Sequence, residues 1–213
     1  MSAGARAFAE GEVRGFLHEP VGTVSDALVL THGAGSNCAA PLLVAVAAAL
    51  AESGVAVLRV DLPYRQLRPA GPPRPDDAER DREGLRLAAA AARRLGAGRV
   101  SLGGQSYGGR QASMVAAAEP ELAAGLLLLS YPLHPPRRGS RLRTAHFASL
   151  QKPALFAHGT RDPFGSIEEM RAALALIPAR TELLVIEGGG HGLSARVATE
   201  IAAAYRRFFA SAV

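Results

Sequence analysis

Along this chain, short continuous apolar runs alternate with longer segments whose apolar residues recur at helical spacing. The runs are ALVLTHG (27–33), VAVLRVDLP (55–63), RVSLGGQ (99–105), GLLLLSYPL (125–133), PALFAHG (153–159) and TELLVIEG (181–188). Their apolar positions are consecutive rather than alternating, as in strands of a parallel sheet covered on both faces. Between them, residues 41–53, 77 to about 95, 107–118 and 166–177 read as helices. Gly54 ends the first, Asp76 or Asp77 is placed to cap the second, and Pro120 stops the third. A last helix carries Val197, Ile201 and Phe208 along one face. RPAGPPRPD, after the second run, is too rich in proline for regular structure. Segment 7–19 is expected to add one or two antiparallel edge strands.

Strand–helix alternation predicts a three-layer α/β domain, a mostly parallel sheet with helices on both faces. No repeat and no long linker interrupts it, so residues 1–213 are expected to form a single domain. In such sheets chemistry sits on loops beyond the carboxyl ends of the strands.

Composition narrows the function classes. Of the residues, 48% are apolar, enough for a substantial core, and abundant alanine suits close helix–sheet contacts. The net charge of +5 comes from 23 Arg and Lys152 against 19 acids. The arginines are spread along the chain without an aromatic-interleaved or zinc-finger pattern, which argues against a nucleic-acid partner. The longest apolar run, Ala39 to Ala51, is too short to span a bilayer, so no membrane partner is expected. Cys38 stands alone, which excludes an internal disulfide and a cysteine-rich metal cluster. The opening MSAGARAFAEGEVRGF has no apolar core of a signal peptide, and a cytoplasmic location is expected.

The densest chemical signal is VSLGGQSYGGRQAS (100–113). Gly104-Gln105-Ser106-Tyr107-Gly108 is G-x-S-x-G where a strand meets a helix. A sharp turn there needs small residues on both sides of the serine and lifts its hydroxyl above the sheet, at a helix N-terminus. Chance alone gives about 0.15 such matches in a chain with 23 Gly, and few would fall between a strand and a helix. An acid and then a histidine must follow in that order. Asp162, in HGTRDPFG, and His191, in GGGHG, each come just past a predicted strand. Alone, Asp162 reads equally as a turn residue before Pro163, and His191 as a glycine-loop passenger. Together and in order, they complete a Ser106–His191–Asp162 triad.

The N–H of Tyr107 and one from THGAGSN (31–37) are candidates for an oxyanion hole, Ala34 being favoured, with Gly33 and Gly35 as alternatives. His32 reads as a residue that orders this loop rather than as a base. Gly33-Ala34-Gly35 also resembles the start of a dinucleotide fingerprint, but Cys38 stands at the third glycine position. A phosphate-binding loop is excluded at Gly103–Gly109, because Arg110 follows without a Lys-Ser/Thr pair.

With LTHGAG (30–35), DLPYR (61–65), GGQSYGGRQASMVA (103–116), SYPLHPP (130–136), LRTAHF (142–147) and HGTRDPFG (158–165), the chain resembles the α/β-hydrolase superfamily over nearly its whole length. It is most similar to small hydrolases of a dienelactone-hydrolase-like branch. The resemblance implies Ser106 as nucleophile, Asp162 as acid and His191 as base. Dienelactone hydrolases carry cysteine at the elbow, where this chain has Ser106, and the residue before the histidine is often acidic, where this chain has Gly190. Some relatives are assembly subunits, which keeps a non-catalytic binding or scaffold protein as the alternative.

The expected activity is a serine hydrolase cleaving a carboxylic ester or thioester through an acyl-enzyme. No metal or organic cofactor is required, and the partner is a small acyl substrate. Lids in this superfamily usually follow the fourth run above, and Pro135 to Lys152 leaves room for no sizeable lid. Tyr64 and Tyr107 are expected to line the open site with Gly33 and Gly35. His134 is either a rim residue or a packing residue. Arg137, Arg138, Arg141 and Arg143 form a basic cluster, either a solvated loop or an attractor for an anionic substrate.

Overall fold

The computed structural model describes residues 4–135 and 142–210. Eight strands form one sheet: β1 (Ala5–Glu10), β2 (Val13–His18), β3 (Asp26–Thr31), β4 (Val55–Val60), β5 (Arg99–Gln105), β6 (Leu126–Leu129), β7 (Ala154–Gly159) and β8 (Thr181–Ile186). Their order is β1-β2-β4-β3-β5-β6-β7-β8. β1 and β2 pair antiparallel at one edge, as expected for 7–19, and β3 to β8 run parallel.

The helices are α1 (Pro41–Glu52), α2 (Pro63–Leu67), α3 (Asp77–Arg94), α4 (Tyr107–Ala118), α5 (Ile167–Leu174) and α6 (Ala198–Ala210). Val29, Leu58, Leu102, Leu128 and Phe156 share one core with α3, α4 and α5. Leu28, Val57, Leu127 and Leu155, one position along each strand, share the other with α1 and α6. Successive side chains of a strand point to opposite faces, so one continuous apolar run supplies both cores. Ala88, Ala89, Ala91 and Ala92 of α3 are fully buried. Their small side chains let this helix lie close to the sheet.

Two elements differ from expectation. β6 stops at Leu129 rather than continuing to Leu133, because buried Ser130 takes a left-handed conformation, φ 49°, that a strand cannot contain. The run expected as a strand to Pro63 ends at Val60, and the short helix α2 begins at Pro63, whose fixed φ suits a helix start. Between β6 and β7 the described residues form one short 3-10 turn, Phe147–Ser149, and no sizeable lid. No described helix is long and apolar enough to cross a membrane. Arg137, Arg138 and Arg141 of the basic cluster lie outside the described residues.

Candidate active site

Ser106 stands between β5 and α4 with φ 51° and ψ −113°, a backbone conformation that L-residues rarely adopt. The surrounding glycines make it possible. A Cβ on Gly104 would lie 2.7 Å from Gly109 N, and one on Gly108 would lie 2.6 Å from His32 O. Strand, helix and the loop after β3 therefore meet backbone to backbone around this serine. Ser106 N–H donates to Leu129 O at 2.8 Å, which ties the turn to β6.

The two distant residues reach the same point. His191 Nε2 is 2.8 Å from Ser106 Oγ, and His191 Nδ1 is 2.8 and 3.1 Å from the carboxylate oxygens of Asp162. The Asp162 side chain is fully buried and also accepts from Phe164 N–H at 2.9 Å. A carboxylate beside Nδ1 requires a proton on that nitrogen, which leaves Nε2 free to accept from the serine hydroxyl. The loops that carry the pair are locked together. Arg161 N–H donates to Gly189 O, Gly188 N–H donates to Thr160 Oγ1, and a Cβ on Gly159 would lie 2.1 Å from Gly189 O. The Phe164 ring packs against His191 with centroids 4.4 Å apart. His158, buried behind Asp162, donates from Nε2 to Gly165 O.

The loop after β3 passes directly beside the serine. A Cβ added to Gly33 would lie 3.6 Å from Ser106 Cβ. Its carbonyls are turned away from the cleft: Tyr64 OH donates to Ala34 O at 2.8 Å and lies 3.2 Å from Gly33 O, while Arg65 Nε donates to Ser36 O. In a trans peptide the N–H points opposite to the C=O, so holding Gly33 O toward Tyr64 turns Ala34 N–H the other way. Tyr107 is the first residue of α4, and its N–H has no acceptor within the helix. Fully buried His32 holds the loop from below: Nδ1–H donates to Gly33 O and Nε2 accepts from Leu62 N–H. Burial pushes its pKa down, in keeping with a neutral, loop-ordering ring.

A cleft of about 660 Å³ opens over these groups. Ser106, Tyr107, His191 and residues Gly33, Ala34 and Gly35 all line it. Tyr64, expected to line it, does not, and neither does His134, for which rim and packing positions were both open. Tyr64 is fully buried behind the loop after β3 because its hydroxyl is spent on the loop carbonyls. His134 turns its ring to Glu169, 2.9 Å away, and so packs against α5 instead of entering the cleft. Sequence reasoning missed Arg110, Gln111 and Arg74, which do line it, and Phe164 beside them. Arg110 was detectable, since it stands in the first turn of the helix that follows Ser106.

A family model described as "Alpha/beta hydrolase domain" matches residues 24–206. The chain belongs to the alpha/beta hydrolase family. Among solved structures it is similar to a dienelactone hydrolase from Anabaena variabilis, with 22% identity, 97% of this chain and 98% of that chain covered, and a TM-score of 0.75. Est1E from Butyrivibrio proteoclasticus matches with 19% identity, 98% coverage of each chain and a TM-score of 0.74. An a/b serine hydrolase without lid from Xanthomonas campestris matches with 16% identity, 99% of this chain and 94% of that chain covered, and a TM-score of 0.69. At these identities the likeness is one of fold, and the dienelactone-hydrolase-like resemblance holds at that level.

In this alpha/beta hydrolase the cleft stands at the carboxyl ends of β3, β5, β7 and β8, which carry the loops holding Ala34, Ser106, Asp162 and His191. Placing four loops on strands of one rigid sheet fixes their separations. Lone Cys38 is buried, and burial pushes its thiol pKa up to about 12, so it stays a protonated thiol.

Proposed function

We propose that this protein is a serine hydrolase that cleaves a carboxylic ester or thioester through an acyl-enzyme intermediate. The observation that carries the reading is the continuous chain Ser106 Oγ–His191 Nε2 and His191 Nδ1–Asp162 at hydrogen-bond distances. His191 Nε2 takes the hydroxyl proton of Ser106 as Oγ attacks the substrate carbonyl carbon. The carbonyl π electrons move to oxygen, and the N–H groups of Tyr107 and Ala34 receive the developing charge. Each such donor is worth about 2.7–4 kcal/mol in the transition state. The imidazolium, stabilised by ionised Asp162, then protonates the leaving alkoxide or thiolate as its bond to carbon breaks. Water, deprotonated by the same Nε2, attacks the acyl carbon; as the second tetrahedral intermediate collapses, the bond from carbon to Ser106 Oγ breaks, Oγ takes the proton back from His191, and the carboxylic acid leaves. The open cleft suits small or accessible acyl groups.

The experiment is labelling with a fluorophosphonate probe alongside turnover of p-nitrophenyl acetate. Wild type is expected to label on Ser106 and to hydrolyse the ester, and Ser106→Ala to do neither while keeping its circular dichroism spectrum. A wild-type protein that neither labels nor turns over would leave the binding or scaffold reading in its place.

A further inference from the structure

The cleft over Ser106 is charged with one sign. Arg74, Arg110 and Arg143 line it, and no aspartate or glutamate does among the described residues. Elsewhere arginines sit on carboxylates: Arg6 on Glu19, Arg68 on Asp77, Arg86 on Glu119, Arg99 on Asp26. The side chains of Arg110 and Arg143 have no such partner among the described residues. Arg110 Nε is buried without an acceptor. Burial, and after it the charge of Arg110, holds the Arg143 guanidinium below the usual arginine range. Two cations are thus kept within each other's field with no anion between them among the described residues.

A second buried donor stands beside them. Gln111 is fully buried, and its Oε1 accepts from an Arg82 guanidinium nitrogen at 3.0 Å. An arginine can only donate, so the amide oxygen must face Arg82 and the NH2 group must face the other way. That group, Gln111 Nε2, has no acceptor among the described residues. The wall formed by Arg110, Gln111 and Arg143 therefore presents donors and no acceptor. Leaving buried donors unpaired is costly, and an oxygen anion satisfies several at once.

Position ties this wall to the chemistry. Arg110 N–H donates to Ser106 O at 2.9 Å, so Arg110 stands one helical turn beyond the nucleophile. Both residues line the same cleft. An anionic group a few bonds from the scissile carbonyl falls within reach of the guanidinium.

We propose that Arg110, Gln111 and Arg143 form an anion subsite, and that the preferred substrate carries a carboxylate or phosphate on its acyl group. This specificity rests on the hydrolase reading above, whereas the subsite itself does not. Arginine's planar fork matches either anion in a bidentate way, and Gln111 Nε2 supplies a third, fixed donor. The prolines beside Arg74 give the acyl chain an apolar wall.

The test has two arms on the full chain. In the first, kcat/KM is measured for mono-p-nitrophenyl glutarate and for p-nitrophenyl valerate, its neutral analogue of similar length. Wild type is expected to favour the glutarate by about tenfold or more, the size of a charge-assisted hydrogen bond. Arg110→Gln and Arg143→Gln are each expected to cut that ratio by about tenfold. Arg6→Gln, which removes one remote positive charge, is expected to leave the ratio within about twofold. A wild-type ratio near one, or a ratio that neither cleft variant moves, would overturn the proposal. In the second arm, calorimetry measures glutarate and inorganic phosphate binding to Ser106→Ala protein and to Ser106→Ala/Arg110→Gln protein. Binding of either anion that is lost in the double variant supports the subsite and names the source, and binding of neither overturns it. If wild type hydrolyses neither ester, the hydrolase reading fails and the binding arm alone decides the subsite.

Discussion

The phenol of Tyr107 donates to a carboxylate oxygen of Asp81 at 2.7 Å, and the other oxygen of Asp81 accepts from Tyr64 N–H at 3.0 Å. Asp81 is fully buried, and burial raises its pKa against the two hydrogen bonds that oppose the rise. One carboxylate on α3 therefore joins the two halves of the proposed oxyanion hole. Tyr107 supplies one N–H itself, and Tyr64 holds the loop that supplies the other.

Tyr107→Phe is expected to lower stability by about 1–3 kcal/mol, because Asp81 loses a donor in a buried site. Since the hydroxyl points away from the reacting atoms, kcat is expected to fall about 3–30-fold through displaced N–H donors, with KM changing less. Asp81→Asn, of the same shape, is expected to be milder than Asp81→Ala in both respects. Urea unfolding and steady-state kinetics on the three variants check this. Unchanged stability and kcat in Tyr107→Phe would sink the coupling.

Asp162→Asn tests the other end of the chain of hydrogen bonds. An amide can still accept from Phe164 N–H, so the fold is expected to survive. It no longer holds a proton on His191 Nδ1 by charge, so the tautomer that accepts from Ser106 loses its support. The expected loss is on the order of 10³–10⁴ in kcat with KM nearly unchanged. A variant within tenfold of wild type would mean that Asp162 serves only the turn it closes.

What the sequence revealed of this site followed physical lines. Ser106, Asp162 and His191 were legible because each combines a reactive side chain with glycine punctuation past an apolar run, and such runs resist misreading. Gly33 and Ala34 were placed by the same logic and line the cleft. Asp81 was hidden, because DDAERDRE reads as a solvated helix face, and only the docking of α3 on Tyr64 and Tyr107 buries one of its acids. Tyr64 was misplaced for a related reason: which way a loop aromatic turns depends on tertiary partners, here the carbonyls of Gly33 and Ala34. The true end of β6 depended on Ser130, whose φ of 49° no residue type announces.

Two glycines near the site should respond in opposite ways to an added methyl group. At Gly108 a Cβ would lie 2.6 Å from both His32 O and Thr31 Cγ2, with backbone on one side and a packed strand on the other. At Gly190 nothing lies within 4 Å. Gly108→Ala is expected to destabilise by roughly 2 kcal/mol or more through overpacking. Gly190→Ala is expected to stay within about 0.5 kcal/mol of wild type. Urea unfolding midpoints decide it, and similar midpoints for the two variants would contradict the close approach of β3 and α4.

Acid sensitivity follows from two histidines outside the reacting chain. Burial, then the charge of Arg59, lowers the pKa of His18 to about 4, and Arg59 Nε donates to its Nε2 at 2.9 Å. Burial, then the charge of Arg110, lowers that of His146 to about 4, and Ser113 Oγ lies 2.8 Å from its Nε2. An unfolded histidine titrates near 6.5. Between about pH 6.5 and 4 the unfolded chain therefore binds more protons than the folded one, so stability falls as pH falls and levels off below the folded values. Allowing for solvent screening, the loss is roughly 2–4 kcal/mol between the two sites. His146→Asn should flatten part of that slope, since an amide can keep a hydrogen bond to Ser113 without titrating. Urea unfolding of both proteins at pH 7.5, 6, 5 and 4.5 measures it. Parallel curves for wild type and His146→Asn would show that the imidazole binds its proton equally well in the folded and the unfolded chain, and would remove it as a source of acid lability.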